Sequence, residues 1–230
     1  MKLLAGFMPP LKSFWMKFQT ITQLQKTLSL KLDLTVIKDL GITNYQKTLS
    51  SMKSFVADGS KESIWMVEHN PVFTLGTAAD RRHILKEVDI DIIQADRGGE
   101  VTYHGPGQLV VYFLLNIKKR KLGPKKFVQK LQELVQSTLL EFGIESETIE
   151  GSPGVYVNKK KIASIGLRFS KGYSYHGISI NVDMNTKPFE YINPCGNKGL
   201  KVIQIKDLYS NITLEKVKLV FKSKTKQIFN

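Results

Sequence analysis

Residues Arg97-Gly98-Gly99-Glu100-Val101-Thr102-Tyr103-His104-Gly105-Pro106-Gly107-Gln108 place four glycines and one proline among Arg, Thr, Tyr, His and Gln, directly before the apolar run Leu109 to Leu115. Glycine just ahead of a β-strand means that the backbone turns sharply or admits a close neighbour. A bare turn has no need of the hydrogen-bonding and charged side chains around those glycines. The stretch reads as a substrate cradle feeding a core strand, with a long surface hairpin loop as the alternative.

The elements around it mix strands with a few helices. Leu34 to Lys38 predicts an opening strand ended by Gly41, and Tyr45, Leu49, Met52, Phe55 and Val56 recur at helical spacing. Ile64 to Val67 and Val72 to Gly76 are short apolar runs that suit buried strands. A short helix near Ala79 to Lys86 and a strand at Ile90 to Ala95 lead into the glycine stretch. Phe127, Val128, Leu131, Leu134, Val135, Leu139 and Phe142 form a 3.6-period stripe, with Pro124 at the start and Gly143 as the stop. Three strands follow at Gly154 to Asn158, Lys161 to Phe169 and Tyr175 to Asp183; then come an irregular stretch to Gly199, a short strand at Val202 to Ile205, and a helix at Thr213 to Phe221. Without regular βαβ alternation, the pattern is one α+β domain with mixed or antiparallel sheets flanked by helices. Residues 33–221 form that domain, between a basic extension at 1–32 and a lysine-rich tail at 222–230.

Composition narrows the partners. A chain of 230 residues with 42% hydrophobic and 23% charged residues has enough apolar mass for a real core. One cysteine, Cys195, excludes an internal disulfide and fits a reducing compartment, so a cytoplasmic location is expected. The net charge of +14 favours acidic partners, yet the lysines are spread along the chain rather than gathered in a nucleic-acid module. No apolar run reaches the roughly 18 to 20 residues that span a bilayer. Residues 1–32 carry five lysines and no acid, but lack the apolar core of a signal peptide and the arginines of a transit peptide. A monomer that binds neither membrane nor nucleic acid is expected.

Cys195 sits in Asn193-Pro194-Cys195-Gly196, where proline fixes the approach and glycine lets the backbone come near a ligand. Such a bend suits a nucleophile, with an incidental loop cysteine as the alternative. His69 and His83 read as surface or hydrogen-bonding residues. His104 and His176 both precede glycine, but no metal-ligand spacing accompanies them, and no phosphate-loop or Rossmann spacing is present. Lys161 opens the otherwise apolar Ile162 to Gly166; it is either partly desolvated for acid/base work or a strand-end lysine reaching to water.

Taken together, Arg97-Gly-Gly-x-x-Thr-Tyr-His-Gly-Pro-Gly-Gln108, Gly154-Val-Tyr-Val157, Lys161-Ile-Ala-Ser-Ile-Gly166, Tyr175-His-Gly177 and Asn193-Pro-Cys-Gly196 resemble, in order and separation, the lipoyl(octanoyl) transferases, also called lipoate–protein ligase B. The resemblance runs from about Leu34 to about Leu208. It implies a fold similar to lipoate and biotin protein ligases and transfer of octanoyl from octanoyl-acyl carrier protein to a lysine of lipoyl domains. Those belong to 2-oxoacid dehydrogenases and the glycine cleavage H protein. It further implies Cys195 as the nucleophile forming an acyl thioester, Lys161 as its acid/base partner, and no cofactor or metal. The acyl site would be lined by Arg97, Gly98, Gly99, Glu100, Val101, Thr102, Tyr103, His104, Ser164, Ile165, Gly166, Gly177, Ile178 and Ser179. Val110, Tyr112 and Leu114 are either an alkyl wall or ordinary core.

Two departures stand out. Val111 and Phe113 replace the Gly and Pro common in the family, an expected change in pocket depth, and some 30 residues precede the usual start. An ATP-dependent ligase on the same fold is the nearest alternative, disfavoured by Cys195. A basic nucleic-acid-binding protein is the alternative from another class.

Overall fold

The computed structural model describes residues 35–229; the extension expected at 1–32 lies outside them. Among the described residues ten strands and three α-helices follow in the order β1 (Val36–Thr43), α1 (Tyr45–Asp58), β2 (Ser63–His69), β3 (Val72–Leu75), β4 (Asp91–Gln94), β5 (Val101–His104), β6 (Gln108–Leu114), α2 (Pro124–Leu140), β7 (Glu147–Ile149), β8 (Ser152–Val157), β9 (Lys160–Ser170), β10 (Tyr173–Asn181) and α3 (Leu214–Phe229). A seven-stranded sheet runs β1-β2-β6-β10-β9-β8-β7, and a three-stranded one runs β4-β3-β5. β1 and β2 are parallel, as are β3 and β4, and the remaining pairs are antiparallel, which is the mixed α+β arrangement expected.

β6 is buried along its whole length, and strand alternation divides its side chains between two cores. Leu109, Val111 and Phe113 pack with Phe127, Leu131 and Leu134 of α2 and Phe221 of α3. Val110, Tyr112 and Leu114 pack with Tyr45, Leu49, Met52 and Val56 of α1. Val111 and Phe113 therefore face α2 and α3, so their departure from the family pattern changes core packing rather than pocket depth. A third cluster joins Phe73 and Tyr103 of the small sheet to Met184, Phe189 and Ile192.

Several boundaries differ from the sequence expectation for identifiable reasons. Gly41 does not end β1; it sits at φ 62 in a register shift between Asp39 and Ile42, a bulge that the strand continues past. The short helix near Ala79 reduces to a 3₁₀ turn at Arg81–His83 capped by Asp80. Val202 makes only an isolated parallel bridge with Lys161. Residues 222–229 of the expected tail are the second half of α3, which runs to Phe229. Phe221, Thr225 and Phe229 recur every four residues on its buried side, while Lys222 and Lys226 face water.

Candidate active site

Lys161 and Cys195, 34 positions apart in sequence, meet at the start of β9, where Lys161 Nζ donates to Cys195 Sγ at 3.0 Å. Lys161 is only 3% exposed. Its backbone is held from both sides: Lys161 N donates to Lys201 O at 2.9 Å, and Ile203 N donates to Lys161 O at 3.0 Å. The alkyl stem crosses Gly154, where an added Cβ would lie 2.5 Å from Lys161 Cε and 2.6 Å from Ala163 O. Nζ also lies 5.3 Å from the Tyr156 ring centroid, a cation–π contact.

Cys195 occupies a 3₁₀ turn over Pro194–Gly196 and takes φ 57, ψ 26, a left-handed conformation that costs a non-glycine residue free energy. The turn is fixed from behind: Asn193 N donates to His83 O at 2.8 Å, and its side-chain Nδ2 lies 3.3 Å from His83 Nδ1. His83 thus secures the cysteine turn through a neighbour, a role with no local sequence signal.

The glycine stretch closes over this pair. Beyond the pairing of Gly154 with Ser164, β8 no longer covers β9, and the Gly98 amide takes its place by donating to Leu167 O at 2.9 Å. Arg97 clips the stretch together. Its Nη2 donates to Thr74 O at 2.8 Å and to Glu100 O at 2.9 Å, and its Nη1 donates to Gly98 O at 3.1 Å. Burial pushes the Arg97 guanidinium below its usual pKa, and its hydrogen-bond partners are neutral oxygens.

A cavity of about 440 Å³ lies between the stretch and the sheet. It gathers residues 97–102 and His104, 164–166 of β9, 177–179 of β10, and the Lys161–Cys195 pair. Val110 and Tyr112 also line it, whereas Leu114 belongs to the α1 core. Tyr103 is the exception among the expected lining residues. Alternation along β5 turns it to the opposite face, where its ring packs against Phe73 and Phe189 at centroid distances of 5.6 and 5.5 Å. At Gly177 an added Cβ would overlap the Val111 carbonyl, so only glycine lets β10 approach β6 there.

The far side of the cavity is a buried polar cluster of which sequence reasoning named His104 alone as a lining residue. His69, expected at the surface or hydrogen-bonded, is fully buried, with Nε2 2.6 Å from Tyr112 Oη and Nδ1 3.2 Å from Thr43 Oγ1. His104 Nδ1 lies 2.7 Å from Gln108 Oε1. Burial pushes His69 down to about 4 and, helped by His69, pushes His104 down to about 3. His176, at φ 59, places Nε2 2.9 Å from Asp96 Oδ1, and Tyr175 Oη donates to Asp96 Oδ2 at 2.6 Å. Hydrogen bonding, first from His176, holds Asp96 well below the usual carboxylate range. Asp96 directly precedes Arg97, so this carboxylate pins the glycine stretch to β10. Among the described residues no His, Cys, Asp or Glu group has metal-holding geometry, and no helix is long and apolar enough to cross a membrane.

The model of the lipoyl protein ligase A/B catalytic domain matches residues 42–226. The chain is 49% identical over 181 residues to the octanoyltransferase of Dechloromonas aromatica, covering 77% of this chain and 88% of that one. It is 40% identical over 194 residues to the octanoyltransferase of Buchnera aphidicola, covering 83% and 92%. Among solved structures, a lipoate-protein ligase A bound with ATP superposes with a TM-score of 0.69 at 14% identity, over 84% of this chain and 85% of the other. The biotin protein ligase of Aquifex aeolicus gives a TM-score of 0.51 at 15% identity, over 84% and 68%. At those identities the structural likeness speaks for the fold alone.

Proposed function

Because this chain belongs to the lipoyl protein ligase A/B catalytic-domain family and shares 40–49% identity with octanoyltransferases, we propose that it transfers octanoyl groups in protein lipoylation through a thioester on Cys195. Octanoyl transfer follows from the relatives; the covalent intermediate and the roles of individual residues are our reading. The observation that carries it is the 3.0 Å contact between Lys161 Nζ and Cys195 Sγ at the wall of the cavity.

In the first half-reaction Cys195 Sγ bonds to the carbonyl carbon of a donor thioester. The donor carbon–sulfur bond breaks, and the proton shed by Cys195 passes through Lys161 Nζ to the departing thiolate. One thioester replaces another, so the exchange is near balance and needs no ATP. In the second, a neutral lysine amine attacks the Cys195 thioester carbon. Its carbon–sulfur bond breaks, and the proton shed by nitrogen returns to Sγ through Lys161. The product amide is more stable than the thioester and draws the sequence forward. General acid/base assistance of this kind supplies about 10²- to 10⁴-fold. Backbone amides at the Cys195 turn and in the glycine stretch are suited to hold the oxyanion. The cavity falls within the roughly 300–1,000 Å³ typical of small-molecule sites.

The donor in this reading is octanoyl-acyl carrier protein, whose acidity suits a chain of net charge +14. The acceptors are lipoyl domains of 2-oxoacid dehydrogenases and the glycine cleavage H protein, met in the cytoplasm by a monomeric enzyme. The test is transfer from octanoyl-acyl carrier protein to an isolated lipoyl domain without nucleotide. Octanoylated domain is expected; transfer that requires ATP would favour an adenylating ligase instead.

A further inference from the structure

The two half-reactions differ in what must approach Cys195. The donor presents an uncharged thioester, but the acceptor lysine arrives as an ammonium. The Arg97 guanidinium lines the cavity it enters, and Lys161, which must be neutral at this stage to take the proton from the amine, offers no offsetting charge. An ammonium is therefore repelled unless something offsets that charge.

Glu100 is the sole carboxylate among the described residues lining the cavity. Its carboxyl group lies against the residue after the nucleophile: a Cβ built on Gly196 would be 3.1 Å from Glu100 Cδ and 3.3 Å from Oε1. Oε2 is anchored by the Asp80 amide, which donates to it at 3.3 Å. Among the described residues Glu100 forms no ion pair.

We infer that Glu100 is the binding group for the acceptor's lysine ammonium, holding it beside the Cys195 thioester before it attacks. The ammonium donates hydrogen bonds to the carboxylate and releases one proton to water, and the neutral amine then attacks as described. This assignment rests on the thioester reading above.

The experiment isolates the second half-reaction. Wild type and Glu100→Gln are first octanoylated by octanoyl-acyl carrier protein, and intact mass verifies the acyl-enzyme in both. Each acyl-enzyme is then mixed with a lipoyl domain or with hydroxylamine, a nucleophile uncharged at neutral pH. Loss of an ionic hydrogen bond raises the half-saturating lipoyl-domain concentration for Glu100→Gln by about tenfold or more, with hydroxylamine cleavage within about twofold of wild type. Glu100→Asp, which keeps the charge, recovers part of the loss. Equal losses toward both nucleophiles would overturn the assignment by making Glu100 a structural support, and no loss toward the lipoyl domain would also overturn it. Failure of the wild type to form an acyl-enzyme would instead overturn the thioester reading itself.

Discussion

Gly154 and Lys161 interlock: the lysine stem occupies the space a side chain at 154 would need, with Cε 2.5 Å from the missing Cβ. Gly154 also sits at φ 148, a conformation that L-residues rarely adopt. Gly154→Ala therefore has no relaxed solution that keeps Lys161 Nζ on Cys195 Sγ. The substitution lowers the transfer rate by about 10²-fold, the scale of a catalytic group misplaced by about an ångström. Single-turnover rates beside thermal melts check it, since a folded variant of normal rate would detach Gly154 from the site.

Arg97 holds the glycine stretch by donating to the carbonyls of Thr74, Gly98 and Glu100. Arg97→Met leaves those buried acceptors unpaired and costs about 3 kcal/mol in urea unfolding. Arg97→Lys does not restore it, because one ammonium cannot span oxygens that a planar fork reaches together. Recovery of wild-type stability by lysine would show that charge, not geometry, is what matters there.

Acid sensitivity follows from the buried histidines. In the folded chain His69 and His104 titrate near about 4 and about 3, below their ordinary 6.5. Between pH 6.5 and 4 the unfolded chain thus binds more protons, so stability falls as pH falls through that window. His69 alone accounts for on the order of 3 kcal/mol. Asp96 acts in a different range, because its depressed pKa withdraws stability only below the usual carboxylate value. Unfolding free energies at pH 7 and pH 5 should differ clearly, and His69→Gln should flatten the difference; an unchanged slope would remove His69 from the effect.

Phe113 is fully buried against Phe127 and Phe229, away from the cavity. Phe113→Leu costs roughly 1–1.5 kcal/mol of stability, while the relative rates for octanoyl and decanoyl donors stay as in wild type. A changed chain-length preference would return this position to the pocket wall.

The sequence made the central elements legible where periodicity is strong. The stripe from Phe127 gave α2 nearly to its ends, and the apolar runs gave β2, β6, β9 and β10. What escaped had physical reasons. β7 is exposed at every residue and so carries no alternation. β5 hides within a glycine-rich stretch whose polar side chains are buried by tertiary packing, and the same packing turns Tyr103 away from the cavity. The lysines of α3 masked a buried spacing of four that the sequence did contain. The local sequence makes Cys195 and Lys161 candidates with bland alternatives still open, the family resemblance pairs them, and their meeting depends on the 201–203 segment crossing β9, which no local pattern announces. His83, Gly154 and Asp96 act by holding their neighbours, and that is legible only in three dimensions.

The covalent intermediate on Cys195 is the centre of the account, and intact-mass spectrometry after mixing with octanoyl-acyl carrier protein tests it most directly. The account predicts one added octanoyl group on the wild type, discharged by a lipoyl domain and absent from Cys195→Ser. Wild-type protein that transfers octanoyl while never carrying it, or Cys195→Ser that transfers at the wild-type rate, would contradict it.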